Sequence, residues 1–302
     1  MKNNYSPQMK NLCYITIVAC CLVSLAGCSI APPEKKGMKH MAANMSRDAE
    51  KAYMKGQIES SLFNLIGALE LNKAIDNLPG IARNLNDMGC IYVRLEKFDE
   101  ARMHLDNALT INRETNDYSG LATNYVNIGN IYEMQGETDN AGKCFEKALT
   151  FSRKSGQQSD VAIRLNNYGK FLYRLGKTKK AAACFDEAIS IARSIKNEFI
   201  LAAGMNNKAN ILEDNKKYTE ARTFYNEALR LDKKNENVEG IAIGLNNLAG
   251  LYEKRGELKK ALIYYKRSKS VYEYLRNKNK ILACEKAINR LSSQVIIKPE
   301  QF

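Results

Sequence analysis

The sequence predicts an all-α solenoid built from stacked helix hairpins, and three observations predict it. Leu245 to Ser268 reads as two short amphipathic helices joined by a turn near Gly256. Leu245, Leu248, Ala249 and Tyr252 share one face of the first, and Ala261, Tyr265 and Ser268 share one face of the second. The small residues of that hairpin then recur every 40 residues, as Gly89, Gly129, Gly169, Ala209 and Ala249, as Ala101, Ala141, Ala181, Ala221 and Ala261, and as Ala108, Ala148, Ala188, Ala228 and Ser268. Large apolar residues keep the same register, with Leu105, Phe145, Phe185, Tyr225 and Tyr265 filling one column. Small residues let helices cross closely and large ones fill the space beside them. A single hairpin cannot bury its apolar face, so the copies must stack.

Taken in order, the chain opens with a polar, weakly basic segment and an apolar run of 14 residues, Leu12 to Leu25, too short to span a bilayer comfortably. The run ends in Leu25-Ala26-Gly27-Cys28, which resembles the bacterial lipoprotein box. That resemblance implies that residues 1–27 are a signal peptide. It also implies that Cys28 receives diacylglycerol on its sulfur and a further acyl chain on its new amine, and that the protein sits in the cell envelope. Ser29, rather than Asp, follows the lipid site, which resembles cargo sent to the outer membrane and facing the periplasm. Residues 28–40, with Pro32 and Pro33, read as a tether.

A degenerate repeat is expected at 41–79, carried by Ala49, Ser61, Ala68 and Leu71. Five clear repeats follow at 80–119, 120–159, 160–199, 200–239 and 240–279. A capping helix over 280–293 and a tail over 294–302 complete the chain, so the solenoid spans 41–293.

The order Leu-x2-Leu-Ala-x2-Tyr followed by Ala-x3-Tyr resembles the tetratricopeptide-repeat signature. The resemblance implies a right-handed solenoid whose first helices line a concave surface that binds an extended or helical peptide. The usual period is about 34 residues, and the Pro that normally ends the second helix is replaced here by Arg113, Arg153, Arg193 and Lys233. The second helix is therefore expected to run about one turn further, to the polar breaks Asn116-Asp117, Gly156-Gln157 and Asn235-Glu236-Asn237. The longer unit is similar to the kinesin-light-chain and LGN-type repeats.

With Ala82 as position one, groove-facing position five holds Asn86, Val126, Asn166, Asn206 and Asn246. Position nine holds Cys90, Asn130, Lys170, Asn210 and Gly250, and position thirteen holds Arg94, Met134, Arg174, Asp214 and Lys254. Asn offers both donor and acceptor, so such a column suits a peptide backbone. The resemblance implies that role for Asn86, Asn130, Asn166, Asn206, Asn210 and Asn246. Lys170 and Arg174, one turn apart, could take an acidic side chain or stand solvated. The position-six column, Asp87, Asn127, Asn167, Asn207 and Asn247, is expected to be structural. Position five is never Lys, so the two-carboxylate clamp of some family members is not expected.

Net charge is +13, unevenly spread. Residues 153–180 hold eight Lys/Arg against Asp160 alone, and 250–302 hold thirteen against five acids, whereas 81–150 hold seven against eleven. These are either solvated helix faces or a surface for anionic cell-wall glycan or lipid. Nucleic acid is not expected, since the N-terminus directs the chain away from it. Cys144 and Cys184 occupy one column in adjacent repeats, where helices lie roughly 8–10 Å apart and disulfides need Cα atoms within about 7 Å. Free, mostly buried thiols are expected there and at Cys90 and Cys284. His40 and His104 are isolated, and no metal-ligand spacing, nucleophile elbow or phosphate loop occurs. Neither enzyme activity nor a cofactor or metal is expected. The function expected is a membrane-anchored scaffold for a protein or peptide partner, with anionic glycan or lipid binding as the alternative.

Overall fold

The structure, a computed structural model, describes residues 35–297, with side chains described through Gln294. The expected signal peptide, Cys28, most of the tether and the end of the tail lie outside the described residues. Six hairpins follow one another: α1 (Lys35–Met54) with α2 (Ile58–Ala74), α3 (Leu78–Arg94) with α4 (Phe98–Glu114), and α5 (Tyr118–Met134) with α6 (Thr138–Ser155). Then come α7 (Gln158–Arg174) with α8 (Thr178–Ser194), α9 (Glu198–Asp214) with α10 (Tyr218–Lys234), and α11 (Val238–Lys254) with α12 (Leu258–Tyr274); α13 (Lys278–Ile297) closes the stack. The described residues form no strand, and no described helix is long and apolar enough to cross a membrane.

The helices end where the backbone turns left-handed. Positive φ occurs at Gly56, Asp76, Glu96, Asn116, Gly136, Gly156, Gly176, Lys196, Lys216, Glu236, Gly256 and Arg276, spaced 20 residues apart throughout. At one such joint the Glu96 N–H donates to the Val93 carbonyl at 3.0 Å and the Lys97 N–H to the Tyr92 carbonyl at 2.9 Å. These are the paired bonds of a Schellman motif, which satisfy carbonyls the helix end would otherwise leave open. The Lys97 carbonyl then accepts from the Ala101 N–H at 3.0 Å, so the next helix starts at once.

Two expectations are corrected here. The second helices stop at Glu114, Ser155, Ser194 and Lys234, one or two residues past the basic residues that replace Pro, not a full turn past them. The extra length is shared evenly instead: α3 and α4 have 17 residues each, and the joints between them are three-residue turns. The residues Lys35 to His40, expected in the tether, are already helical.

Stacking buries the columns in the order the sequence demands. Ala101, Ala141, Ala181, Ala221 and Ala261 lose all exposure, and Leu105, Phe145, Phe185 and Tyr225 fill the space beside them. Burial of each of these large side chains contributes on the order of 1.5–3 kcal/mol. Gly169 meets the ring of Phe185 so closely that an added Cβ would lie 2.5 Å from it. First helices also touch their counterparts in adjacent hairpins, α3 with α5, α5 with α7, α7 with α9 and α9 with α11, whereas second helices make no comparable contact with one another. The first helices therefore form the tighter, concave layer, and their side chains decide what that surface can hold.

A non-Gly residue in the left-handed region costs about 1–2 kcal/mol, offset partly by the larger entropy that Gly loses on folding. Lys216→Gly should therefore stabilise the chain by about 0.5–1 kcal/mol. Gly176→Ala should destabilise it by a similar amount, although nothing lies within 4 Å of the added methyl. Urea midpoints followed by helical circular dichroism read both. A Lys216→Gly protein that melts earlier would show that the joint is not strained.

Candidate functional site

The concave face is knitted by side chains that bond from one first helix to the next. Asn86 Oδ1 accepts from Asn127 Nδ2 at 2.8 Å and from Asn124 Nδ2 at 3.0 Å. Asn166 Oδ1 accepts from Asn207 Nδ2 at 3.4 Å, and Asn246 Oδ1 accepts from the Cys284 thiol at 3.7 Å. Arg164 donates to Thr123 Oγ1 at 2.7 Å along the same surface. Position five therefore sits where adjacent first helices meet; Asn86, Asn166 and Asn246 bond across to the neighbouring helix, whereas Asn206 Oδ1 has no partner among the described residues. Asn166 and Asn206 are buried, and Asn86 and Asn246 are half-buried.

The other candidates divide. Asn210 accepts from the Tyr225 hydroxyl. Asn130 is half-buried beside Tyr53, Cys90 and Met134. Arg174 grips both oxygens of Glu133, with its Nε and Nη2 each at 2.6 Å, so it neither stands unpaired in solvent nor stays open to an outside acid: its acidic partner comes from the preceding hairpin. Lys170, exposed one turn away, stays on the open surface. Partial desolvation, and then the charge of Arg174, lower its pKa.

Beside Asn166, Asn206 and Lys170 the concave face opens into a cavity of about 430 Å³ that spans α7, α9 and α11. Its rim carries Ile163, Phe199 and Ile243, which are 38%, 54% and 38% exposed. Apolar side chains left this open on an inner surface are the usual mark of a binding face. Sequence reasoning missed all three. A signal existed: position two runs Arg83, Thr123, Ile163, Ala203, Ile243, turning from polar to apolar in the last three repeats.

A second cavity, of about 450 Å³, lies between α1 and α3 and is lined by Arg47, Glu50, Arg83, Asp87 and Cys90. Burial pushes the Asp87 carboxyl up to about 6, against the opposing pull of a hydrogen bond from Asn86 and the charge of Arg83. Burial, and then the Asp87 charge, push the Cys90 thiol up to about 12. Cys90 therefore stays protonated at neutral pH and is no nucleophile. All four described cysteines are free; Cys144 and Cys284 are buried, and Cys90 and Cys184 half-buried. His104 stacks on Tyr92, with ring centroids 5.2 Å apart. Among the described residues no group of three metal-ligating side chains forms.

Some cations of the basic segments pair with acids of neighbouring helices. Arg153 pairs with Glu187 at 2.8 Å, Lys254 with Glu213 at 2.8 Å, Lys269 with Glu285 at 2.9 Å, and Arg290 with Glu253.

A tetratricopeptide-repeat family model matches residues 120–194 and 201–273, and a second matches 82–117, together more than half of the chain. Among solved structures, BtubC (BKLC) from P. vanneervenii is 19% identical with a TM-score of 0.52, over 80% of this chain and 92% of that one. A Rap protein complexed with Competence and Sporulation Factor is 15% identical with a TM-score of 0.60, over 85% and 76%. The apo form of RapI is 14% identical with a TM-score of 0.56, over 85% and 99%. At these identities the likeness is one of fold. A comparison with curated protein sequences finds no match.

Asp87 supplies a pH test. Its folded pKa of about 6 exceeds its ordinary value of 3.8. Between the two, the folded state holds a proton that the unfolded state has released, so stability falls as pH rises through this window. Asp87→Asn should be more stable than the parent at neutral pH, by about 1–2 kcal/mol, and should converge with it at acid pH. Urea melts across that range measure the difference; equal stabilities at neutral pH would show that Asp87 ionises there without cost.

Proposed function

The chain belongs to the tetratricopeptide-repeat family, and from that premise we propose that it is a lipid-anchored interaction scaffold of the bacterial cell envelope. Acyl chains on Cys28 would hold it at a membrane, most simply the outer membrane facing the periplasm. Each chain contributes about 0.8 kcal/mol per buried CH2, enough together for stable anchoring. The concave face of α7, α9 and α11 takes a protein or peptide partner.

The observation that carries this reading is the apolar rim of Ile163, Phe199 and Ile243 around a cavity floored by the side chains of Asn166 and Asn206. A flexible polypeptide can bury apolar side chains on that rim. The Rap structure supports the reading by precedent, since a protein of this fold is complexed there with a second molecule, Competence and Sporulation Factor. The alternative, a basic surface for anionic glycan, gains nothing from cations already paired at Arg153, Arg174, Lys254, Lys269 and Arg290.

Two measurements test it. Metabolic labelling with palmitate should mark the parent and not Cys28→Ala, and the variant should leave the membrane fraction; equal labelling would remove the anchor. A photo-crosslinking residue at Ala203, on the cavity wall, should capture a defined partner in intact cells. Phe199→Ala combined with Ile243→Ala should weaken that capture by about tenfold or more, since each buried side chain contributes on the order of 1.5–3 kcal/mol. Phe63→Ala, on the outer helix α2, should leave it unchanged. Capture indifferent to the rim would overturn the concave-face reading.

A further inference from the structure

Two hairpin junctions carry an unbroken three-residue relay. At the first, Asn72 at the end of α2 donates to Asn84 on α3 at 2.7 Å, and Asn84 donates to Ser46 on α1 at 2.8 Å. At the second, Asn112 donates to Asn124 at 2.6 Å, and Asn124 donates to Asn86 at 3.0 Å. The middle amide accepts from a second helix and donates to the preceding first helix, so two buried amides and a half-buried group satisfy one another.

The 40-residue register carries these three places to Asp232, Gly244 and Asn206. The surrounding geometry is kept. Asn237 Nδ2 donates to Asp232 Oδ1 at 2.8 Å, as Asn77 Nδ2 does to Asn72 Oδ1 at 2.7 Å. Gly240 lies against Asp232 just as Gly80 lies against Asn72 and Gly120 against Asn112. Only the middle side chain is gone, because position 244 is Gly.

What flanks the gap is chemically one-sided. Asp232 Oδ2 and Asn206 Oδ1 are buried and have no hydrogen-bond partner among the described residues. Asp232 is 3% exposed and Asn206 7%, and both line the 430 Å³ cavity. A buried acceptor left unpaired costs about 1–3 kcal/mol, and two of them favour a group that only donates. Elsewhere in the stack this does not arise: Arg164 or Cys284 fills the middle place, and beside Gly204 the second-helix place is the apolar Ala192.

We propose that this gap is a lysine subsite of the concave face, in which the ammonium of a partner polypeptide's lysine donates to Asp232 Oδ2 and Asn206 Oδ1. An ammonium has three donors and no acceptor, and it sits on a narrow, flexible stem. A guanidinium carries five donors in a rigid plane, more than two oxygens can serve and wider than the one asparagine side chain the gap lacks. Phe199 and Ile243 on the rim cover the four-carbon stem, and Glu239 adds a second carboxylate to the same wall. Lys170 lies on the α7 side of the cavity, so the subsite and Lys170 give its two sides opposite charge. Burial raises the Asp232 carboxyl in the empty state, and an ammonium beside it would restore the carboxylate.

The proposal rests on the concave face being the partner site, and the test separates the two. The purified full-length protein is titrated calorimetrically with the tripeptide acetyl-Leu-Lys-Leu-amide, with its Nε-acetyl-lysine form, and with Leu-Leu-amide, which offers only a terminal amine. The first should bind saturably, and acetylation of the lysine should cost about tenfold or more. Gly244→Asn, whose Cβ would make only ordinary contacts of 3.4 Å with Leu229, supplies the missing amide; it should abolish binding without lowering the melting temperature. Asp232→Asn should lose the preference for the free ammonium. Equal binding of the acetylated peptide, unchanged binding by Gly244→Asn, or no saturable binding of any probe would overturn the subsite. Tighter binding of Leu-Leu-amide would overturn it in favour of a terminal amine. Crosslinking from Ala203 in the same preparations reads the broader proposal: capture that persists while the tripeptides fail removes the subsite alone, and absent capture removes both.

Discussion

The left-handed residue that recurs every 20 positions is the constraint on which the rest of this molecule depends. Except beside Gly156, where one backbone bond forms and the next helix starts after two residues, it stops each helix with two backbone bonds and releases the next helix after three residues. Because each joint turns the chain in the same way, equivalent positions of successive hairpins face each other at a nearly constant separation. The side-chain bonds of the concave face follow directly, joining residues 38 or 41 apart, as Asn124 and Asn127 both join to Asn86. Covalent spacing thus becomes spatial register.

Legibility in the sequence follows the same line. The 40-residue period, the number of hairpins and the all-α class were readable because Ala and large apolar residues are forced at crossings where volume admits little else. Helix ends were less readable. Seven of the joints place Asp, Glu, Asn, Lys or Arg in the left-handed region, where Gly would signal the turn plainly. Without that signal, replacement of Pro by Arg or Lys suggested a longer second helix, when the spare residues belong to both helices. A backbone preference worth only about 1–2 kcal/mol is overruled by the packing that sets the joint, so composition hides it.

At the candidate site the difficulty was geometric. Position five lies on a face of the first helix that also touches the next first helix. Asn86 and Asn166 spend their carbonyls on that contact, and Arg174 spends its guanidinium on Glu133. One repeat read alone shows donors and acceptors aimed at a partner; two adjacent repeats show them aimed at each other. Ile163, Phe199 and Ile243 were invisible for the opposite reason, since an apolar residue in a helical pattern is ordinarily core, and only three dimensions show that nothing covers these.

The two kinds of polar contact on this scaffold do different work. The ion pairs between hairpins are largely exposed, and each contributes little, on the order of 0–1 kcal/mol; they can vary without changing the curve of the solenoid. The buried amide relays are costly to leave half-made, and where the relay is lost elsewhere Arg164 or Cys284 fills the middle place, or Ala192 removes the second-helix polar group beside Gly204. Asp232 and Asn206 around Gly244 have neither replacement. A uniform scaffold has little means of marking one repeat as special except by breaking its own rule there, and the break lies on the wall of the cavity with the uncovered apolar rim. Stability sacrificed at a buried site is expected where a ligand completes the structure, and the two unpaired acceptors of this junction line a cavity that a ligand can enter.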